Sequence, residues 1–397
     1  YGMIIHEADL DPATRVEYIG ANKDFTPMMM NMDTHIMDYG SWGNWEWLKA
    51  NKPVMANWGG GIEYYLNEND YTKKASDGSA SDVANVNYAG NAMAVIKKIY
   101  THTYKIGYDR YVLFCERKLT DDFKPIGFDV LGKERDYMLI PLFYGSIDGN
   151  GKMRSIAGQW SWGTATGSTS DTNVTANVTT EVQNAAIKKT DPEALFFGGA
   201  LMNTLADICV MLTRSTNTQA SFGAGMSTSY VNDKEQKHGT KVNTVIGGGQ
   251  FYGSKDEKSF NKVFHSCVLG SQMLWQRDPY TLLVNGIIKV SPDYTYDLTG
   301  AKYIDTGVKL ASNNYYAITQ VIPGFGAVPT AEVICTSLTG YCDHTWVTAT
   351  DVRVSFRLGD CGNGAHGGLF SRAFDVAAAH AWWHYGASLL QAQPVAA

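Results

Sequence analysis

Residues 280–290, Tyr280-Thr281-Leu282-Leu283-Val284-Asn285-Gly286-Ile287-Ile288-Lys289-Val290, place two aliphatic, β-branched runs on either side of Asn285-Gly286. Asn-Gly accepts the positive φ angles of a two-residue turn at little cost, so the stretch predicts an antiparallel hairpin. Strand patterns continue outward from it. Asn314 to Ile322 is ended by Pro323-Gly324, and Thr345 to Thr350 and Val352 to Phe356 follow. Upstream, Ala92 to Tyr104 and Arg110 to Arg117 flank Gly107-Tyr108-Asp109, a second hairpin pattern. Tyr137 to Tyr144 and Lys152 to Ile156 flank the turn signal Asp148-Gly149-Asn150-Gly151.

Composition agrees. The 397 residues include 40 Gly, 23 Tyr and 10 Trp, and only 18% are charged. Low charge with many Gly and aromatic residues suits tightly packed strands and loops rather than long solvated helices. The expected class is α+β and β-rich. One clear helix is expected, from Asp191 to about Arg214. Thr190-Asp191-Pro192-Glu193 offers an N-cap and a capping box, and Leu195, Phe196, Leu201, Leu205, Ile208, Cys209 and Leu212 recur at helical spacing. Asn203 and Asp207 interrupt that apolar pattern. Tyr64 to Ser81 reads as a turn region and Ser161 to Thr180 as an exposed Ser/Thr-rich loop. The cluster Trp42, Trp45 and Trp47 reads as a local core or a chain–chain contact. A domain boundary is expected near residue 130, giving an N-terminal β-rich domain (1–130) and a second domain (131–397).

Most catalytic and cofactor chemistries find no support. A net charge of −6 argues against a nucleic-acid partner. No run of about 20 apolar residues is present to cross a bilayer as a helix. GxSxG, HExxH and CxxC are all missing, and no Lys-Ser or Lys-Thr follows the Gly-rich stretch from Gly359 to Gly368. That stretch reads as a loop needing unusual backbone angles. His380 and His384 would share one face of a helix, but two imidazoles make an incomplete zinc site. Cys335 and Cys342 could flank a loop and pair, which spacing leaves open. The expectation is no catalytic residue, no metal and no cofactor.

The C-terminal segment is unusual. Ala377-Ala378-Ala379 stands beside His380, Trp382, Trp383, His384 and Tyr385 with no clean helical or strand period. Such a segment combines fixed apolar positions (Phe370, Trp383, Tyr385, Leu389) with free ones. From Gly368-Leu369-Phe370, through Ala381 and Trp383, to Gly386-Ala387-Ser388-Leu389, it resembles the variable region of proteins diversified by diversity-generating retroelements, as found in phage tail-fibre adhesins. Gly60 to Lys73 is also similar to N-terminal regions of phage and prophage proteins of this kind.

The resemblance implies a C-type-lectin-like ligand-binding domain of the formylglycine-generating-enzyme type over 131–397, following an N-terminal β domain (1–130) for attachment or oligomerisation. It places the helix near Asp191–Arg214 within that fold and a variable region over about 350–390. It implies ligand contacts at Arg353, Ser355, Arg357, Asp360, Asn363, Ala365, His366, Ser371, Arg372, Ala373, Phe374, Asp375, His380, Trp382 and His384. Trp382 departs from the pattern, because an Asn codon altered only at adenines cannot become Trp. Trp382, His384, Arg372, Phe374 and His380 are the expected contacts, and Trp383 belongs to the frame. The implied partner is a host cell-surface receptor, protein or glycan. The implied assembly is a homo-oligomer, trimer favoured, at the tip of a virion tail fibre or on a bacterial surface. The calcium-site tripeptides of true C-type lectins are missing, so binding without calcium is expected. The alternatives are a carbohydrate-active tail enzyme (a depolymerase) and a purely structural virion protein.

Overall fold

The computed structural model describes residues 1–159, 161, 178–227, 247–333, 335–381 and 384–395. The chain is β-rich, 14% helix and 38% strand, and a sheet curls into a half-barrel. The Asn285-Gly286 hairpin forms as expected: Val284 pairs with Ile287, and the two turn residues take φ of 50° and 84°. The Gly107 hairpin forms too, joining Tyr100–Ile106 to Asp109–Cys115. Ser146–Ile147 pairs with Met153–Arg154 around the Asp148–Gly151 turn.

Two sheets carry most of the chain. A seven-stranded sheet runs in the order Leu195–Phe196, Leu389–Ala392, Tyr137–Pro141, Gly90–Lys97, Pro53–Asn57, Ile62–Asn67 and Asp70–Lys74. The last two strands lie where a turn region was expected; their own hairpin turn, Glu68-Asn69, is what the polar composition reported. This sheet joins strands from both sides of residue 130, and one core cluster extends from Met3 to Ala392. The expected boundary therefore runs through this sheet and this core. The second sheet runs Ile304–Lys309, Ile287–Val290, Trp275–Val284, Val352–Leu358, Gly368–Phe374, Thr345–Val347 and Asn313–Tyr315, with Tyr385–Gly386 beside Trp275.

The expected helix is shorter and starts later. Thr190 ends a separate helix, Thr180–Thr190, and Asp191 is its C-cap. Pro192 then prevents continuation. Leu195–Phe196 is a strand, and the long helix is Gly199–Thr213. Its cap is not local. The Gly199 N–H donates to Asp278 Oδ1 at 2.9 Å and the Leu201 N–H to Tyr294 Oη at 3.3 Å. These two groups satisfy first-turn donors that a cap residue would otherwise take. The helix is buried on all sides except at its last residue.

Its two polar interruptions are both partners of arginines. Asp207 receives a bidentate pair from Arg110 at 2.8 and 2.9 Å. Arg110 belongs to a buried group in which Arg15 pairs with Glu7 at 2.6 Å and Tyr341 donates to Glu7 at 2.7 Å. Asn203 Oδ1 accepts from Arg357 at 3.1 Å and from Arg372 at 2.6 Å. Trp42, Trp45 and Trp47 form a packed local core, with ring centroids 5.5 and 4.9 Å apart along the series. Cys335 and Cys342 are free thiols and do not pair. Most of the Ser161–Thr180 loop lies outside the described residues; Thr180 itself is helical.

Candidate recognition surface

The C-terminal strands sort their side chains by alternation. On Val352–Leu358, Val354 and Phe356 enter a core with Trp275, Leu282, Tyr303, Ala373 and Tyr385. Arg357 projects to the opposite face, toward the long helix. On Gly368–Phe374, Arg372 and Phe374 likewise meet the helix side, against Asn203 and beside Ala200. Both faces of these central strands are therefore covered.

Seven of the expected contacts are consequently interior: Ser355, Arg357, Asp360, Ser371, Arg372, Ala373 and Phe374. A side chain enclosed on its own sheet face offers nothing to an external ligand, and these seven belong to the scaffold. Arg353, Asn363, Asp375 and His384 are half-buried, and Ala365, His366 and His380 are exposed. Trp382 and the frame residue Trp383 lie outside the described residues. No described residue between Asp375 and Val395 is helical, so the i, i+4 spacing of His380 and His384 does not put them on one helix face. His384 Nδ1 instead lies 3.1 Å from Asp360 Oδ2.

The frame residues are held from several directions. Asp343 Oδ2 accepts the Phe370 N–H at 2.8 Å, and burial pushes the Asp343 carboxyl well above the usual carboxylate range. Ser388 Oγ donates to Gln276 Oε1 at 2.8 Å and accepts the Gly145 N–H at 3.0 Å. The ending Gly386-Ala387-Ser388-Leu389 is thus an interior latch between the two large sheets.

The surface brings together aromatic and imidazole rings that the sequence keeps apart. Tyr316 Oη and His366 Nδ1 are hydrogen-bonded at 2.5 Å. The Tyr316 ring stands 4.6 Å from His344, His344 stands 4.3 Å from Trp346, and Trp346 stands 5.3 Å edge-on to Trp275. Trp275 is the register partner of Tyr385, whose ring lies 4.4 Å from His384 and 5.6 Å from His380. The result is a track of partly exposed rings at each end, His366, Tyr316, His344 and Trp346 on one side and His384 and His380 on the other, joined beneath by the buried core residues Trp275 and Tyr385. Burial, with a further contribution from His366, holds His344 down to about 4, so its ring is neutral at pH 7. Tyr316, His344 and Trp346 were not anticipated. His344 and Trp346 do alternate with buried Thr345 and Val347, a local signal of one exposed face. Nothing local ties Tyr316 to His366, which lie 50 positions apart.

Arg277 organises the far end of the track. It is buried and donates to Thr180 Oγ1 (2.8 Å), Val178 O (3.0 Å) and His380 O (2.7 Å). Its guanidinium stacks 4.9 Å from the Phe356 ring and 5.7 Å from Tyr385. With no carboxylate partner among the described residues, burial lowers its pKa to about 9. The Thr180 N–H also donates to Ala378 O at 3.1 Å, so a helix N-terminus clamps the same loop.

Edge-to-face and tilted rings, with a neutral imidazole at His344, suit packing and hydrogen bonding to a ligand face. Among the described residues, no group of three or more His, Cys, Asp or Glu is arranged to hold a metal ion. No protein-family model and no curated protein matches the chain.

Proposed function

We propose that the chain is a receptor-binding adhesin of a phage or prophage tail fibre, and that the track from His366 to His380 is its recognition surface. The observation that carries this reading is the track itself: the partly exposed rings of Tyr316, His344, Trp346, His366, His380 and His384 rest on the buried rings of Trp275 and Tyr385, which are fixed in the core. Rigid aromatic area at low entropic cost is what a binding surface needs. On this reading the C-terminal sheet and the long helix are the frame of a C-type-lectin-like domain. The C-terminal loops carry the diversified positions, and a homo-trimer would multiply weak contacts.

The test is to sequence the gene and its flanks across a population of its source. The expected result is an invariant near-copy of the 3′ end, a neighbouring reverse transcriptase gene, and differences confined to adenines of the copy. The variable codons should fall on Arg353, Asn363, Ala365, His366, Asp375, His380 and His384 and spare Arg357, Arg372 and Phe374. A constant 3′ end, or variation centred on the buried set, would overturn the proposal.

A second reading, a carbohydrate-cleaving tail enzyme, draws on Asp375. Burial raises its pKa, and its Oδ1 has no hydrogen-bond partner. A raised carboxyl beside an aromatic surface is the form of a general acid. Glycan hydrolysis abolished by Asp375→Asn would favour this reading over the first.

A further inference from the structure

A cavity of about 500 Å³ lies away from the aromatic track, between the strand Tyr100–Ile106, the 122–129 loop, the 292–293 turn and the hairpin turn at Pro323-Gly324. Three carboxylates line it: Asp122, Asp129 and Asp293. Among the described residues, Lys124 is the one Lys or Arg along the lining. Among the described residues none of the three carboxylates makes an ion pair at 4.0 Å or less. Asp293 is satisfied by neutral donors, Ser291 Oγ and the Thr295 N–H and Oγ1, each at 3.1 Å. Asp129 Oδ1 is buried with no hydrogen-bond partner. Thr101, only 3% exposed, also lines the cavity with its Oγ1 unpartnered. Pro125, Pro292 and Pro323 supply stiff apolar walls.

The floor is fixed in advance. A Cβ at Gly127 would stand 2.5 Å from Leu201 Cα, so the loop lies directly on the long helix. Tyr294 Oη donates to Gly127 O and Thr204 Oγ1 to Ile126 O, both at 3.1 Å. A preformed cavity of this size suits a small molecule. Its carboxylates are not gathered as a metal site. They border a space larger than one ion, so the complementary charge must be spread over a longer molecule. An apolar stem would lie along the prolines, with cationic ends at the carboxylates.

We infer that this cavity is a binding site for a small organic cation, an alkyl diammonium or a molecule of like chemistry. The inference is independent of the adhesin reading, because its readout requires no receptor. The test is calorimetric titration of the full chain with 1,4-diaminobutane, with the neutral 1,4-butanediol as the length-matched control. The expected result is saturable binding of the diamine only, weakened by added salt and at least tenfold weaker in Asp129→Asn. Asp122→Asn, at an exposed position, should weaken binding while leaving the melting temperature unchanged. Equal binding of the diol, no saturable diamine binding, or an unchanged Kd in both variants would overturn the inference.

Discussion

Arg277 Nη2 donates to the carbonyl oxygen of His380 at 2.7 Å across 103 positions of sequence. One buried guanidinium thereby fixes the height of a surface loop. The same group binds Thr180 and Val178, so loop, helix start and sheet meet at one side chain. Arg277→Gln leaves these acceptors with fewer donors in a dry setting. It should lower stability by about 2–4 kcal/mol, the range for breaking a buried hydrogen-bonded group. Arg277→Lys should recover only part of this, because an ammonium cannot reproduce the planar fork. Chemical denaturation of the three proteins measures both effects.

Gly368 begins the strand Gly368–Phe374, which pairs with the strand carrying Trp346. Its φ is 153°, and a Cβ there would fall 2.2 Å from Asp343 Oδ1. Gly368→Ala should therefore destabilise the fold by about 3 kcal/mol or more, combining backbone strain with a steric clash. The double variant Gly368→Ala/Asp343→Ala should be less damaged than the sum of its parts, since removing the carboxylate relieves the clash. A double-mutant cycle by urea denaturation reads the coupling. Additive effects would place the damage in the backbone alone.

Asn285-Gly286 predicts its hairpin because the information is local: two residues set two φ angles. The long helix was misplaced at its start because its caps, Asp278 and Tyr294, come from distant segments. The capping-box pattern at Thr190 sat instead at the end of another helix. Among the site residues, His366 and His380 were legible as exposed positions of the C-terminal segment. Arg372 and Phe374 were not, because burial on both strand faces depends on a helix packed over one of them. Tyr316 joins His366 only through sheet order, which no local spacing encodes.

Lys262 gives a pH test of the interior. Its ammonium is 1% exposed, and its side-chain hydrogen bond goes to Tyr71 Oη at 3.3 Å. Burial lowers its pKa to about 7, with Cys267 opposing the shift. An unfolded lysine titrates near 10.4. Between those values the unfolded chain holds the proton and the folded chain does not. Stability contributed by this group therefore rises with pH through the window, by up to about 1.4 kcal/mol per unit, and the full penalty remains below it. Lys262→Met should be more stable than wild type at pH 7, and the gap should narrow by pH 9. Melting curves at the two pH values decide it; a gap independent of pH would mean that Lys262 is charged throughout.

Trp346 stands at the middle of the aromatic track, edge-on to Trp275 and 4.3 Å from His344. It is half-buried, so part of its ring faces outward while the rest leans on residues that are themselves fixed. A large ring held in this way is the usual form of an energetic anchor in a binding surface. On the proposed adhesin reading, Trp346→Ala should reduce adsorption of the protein to cells of its source at least tenfold, equivalent to about 1.4 kcal/mol. Trp346→Phe retains an aromatic edge toward Trp275 and should recover part of that loss. Leu338→Ala, at a position 80% exposed and outside the track, serves as the control and should leave adsorption unchanged. If Trp346→Ala binds cells as wild type does while Arg353 or Asn363 variants do not, recognition rests on the half-buried polar positions and the track is scaffold.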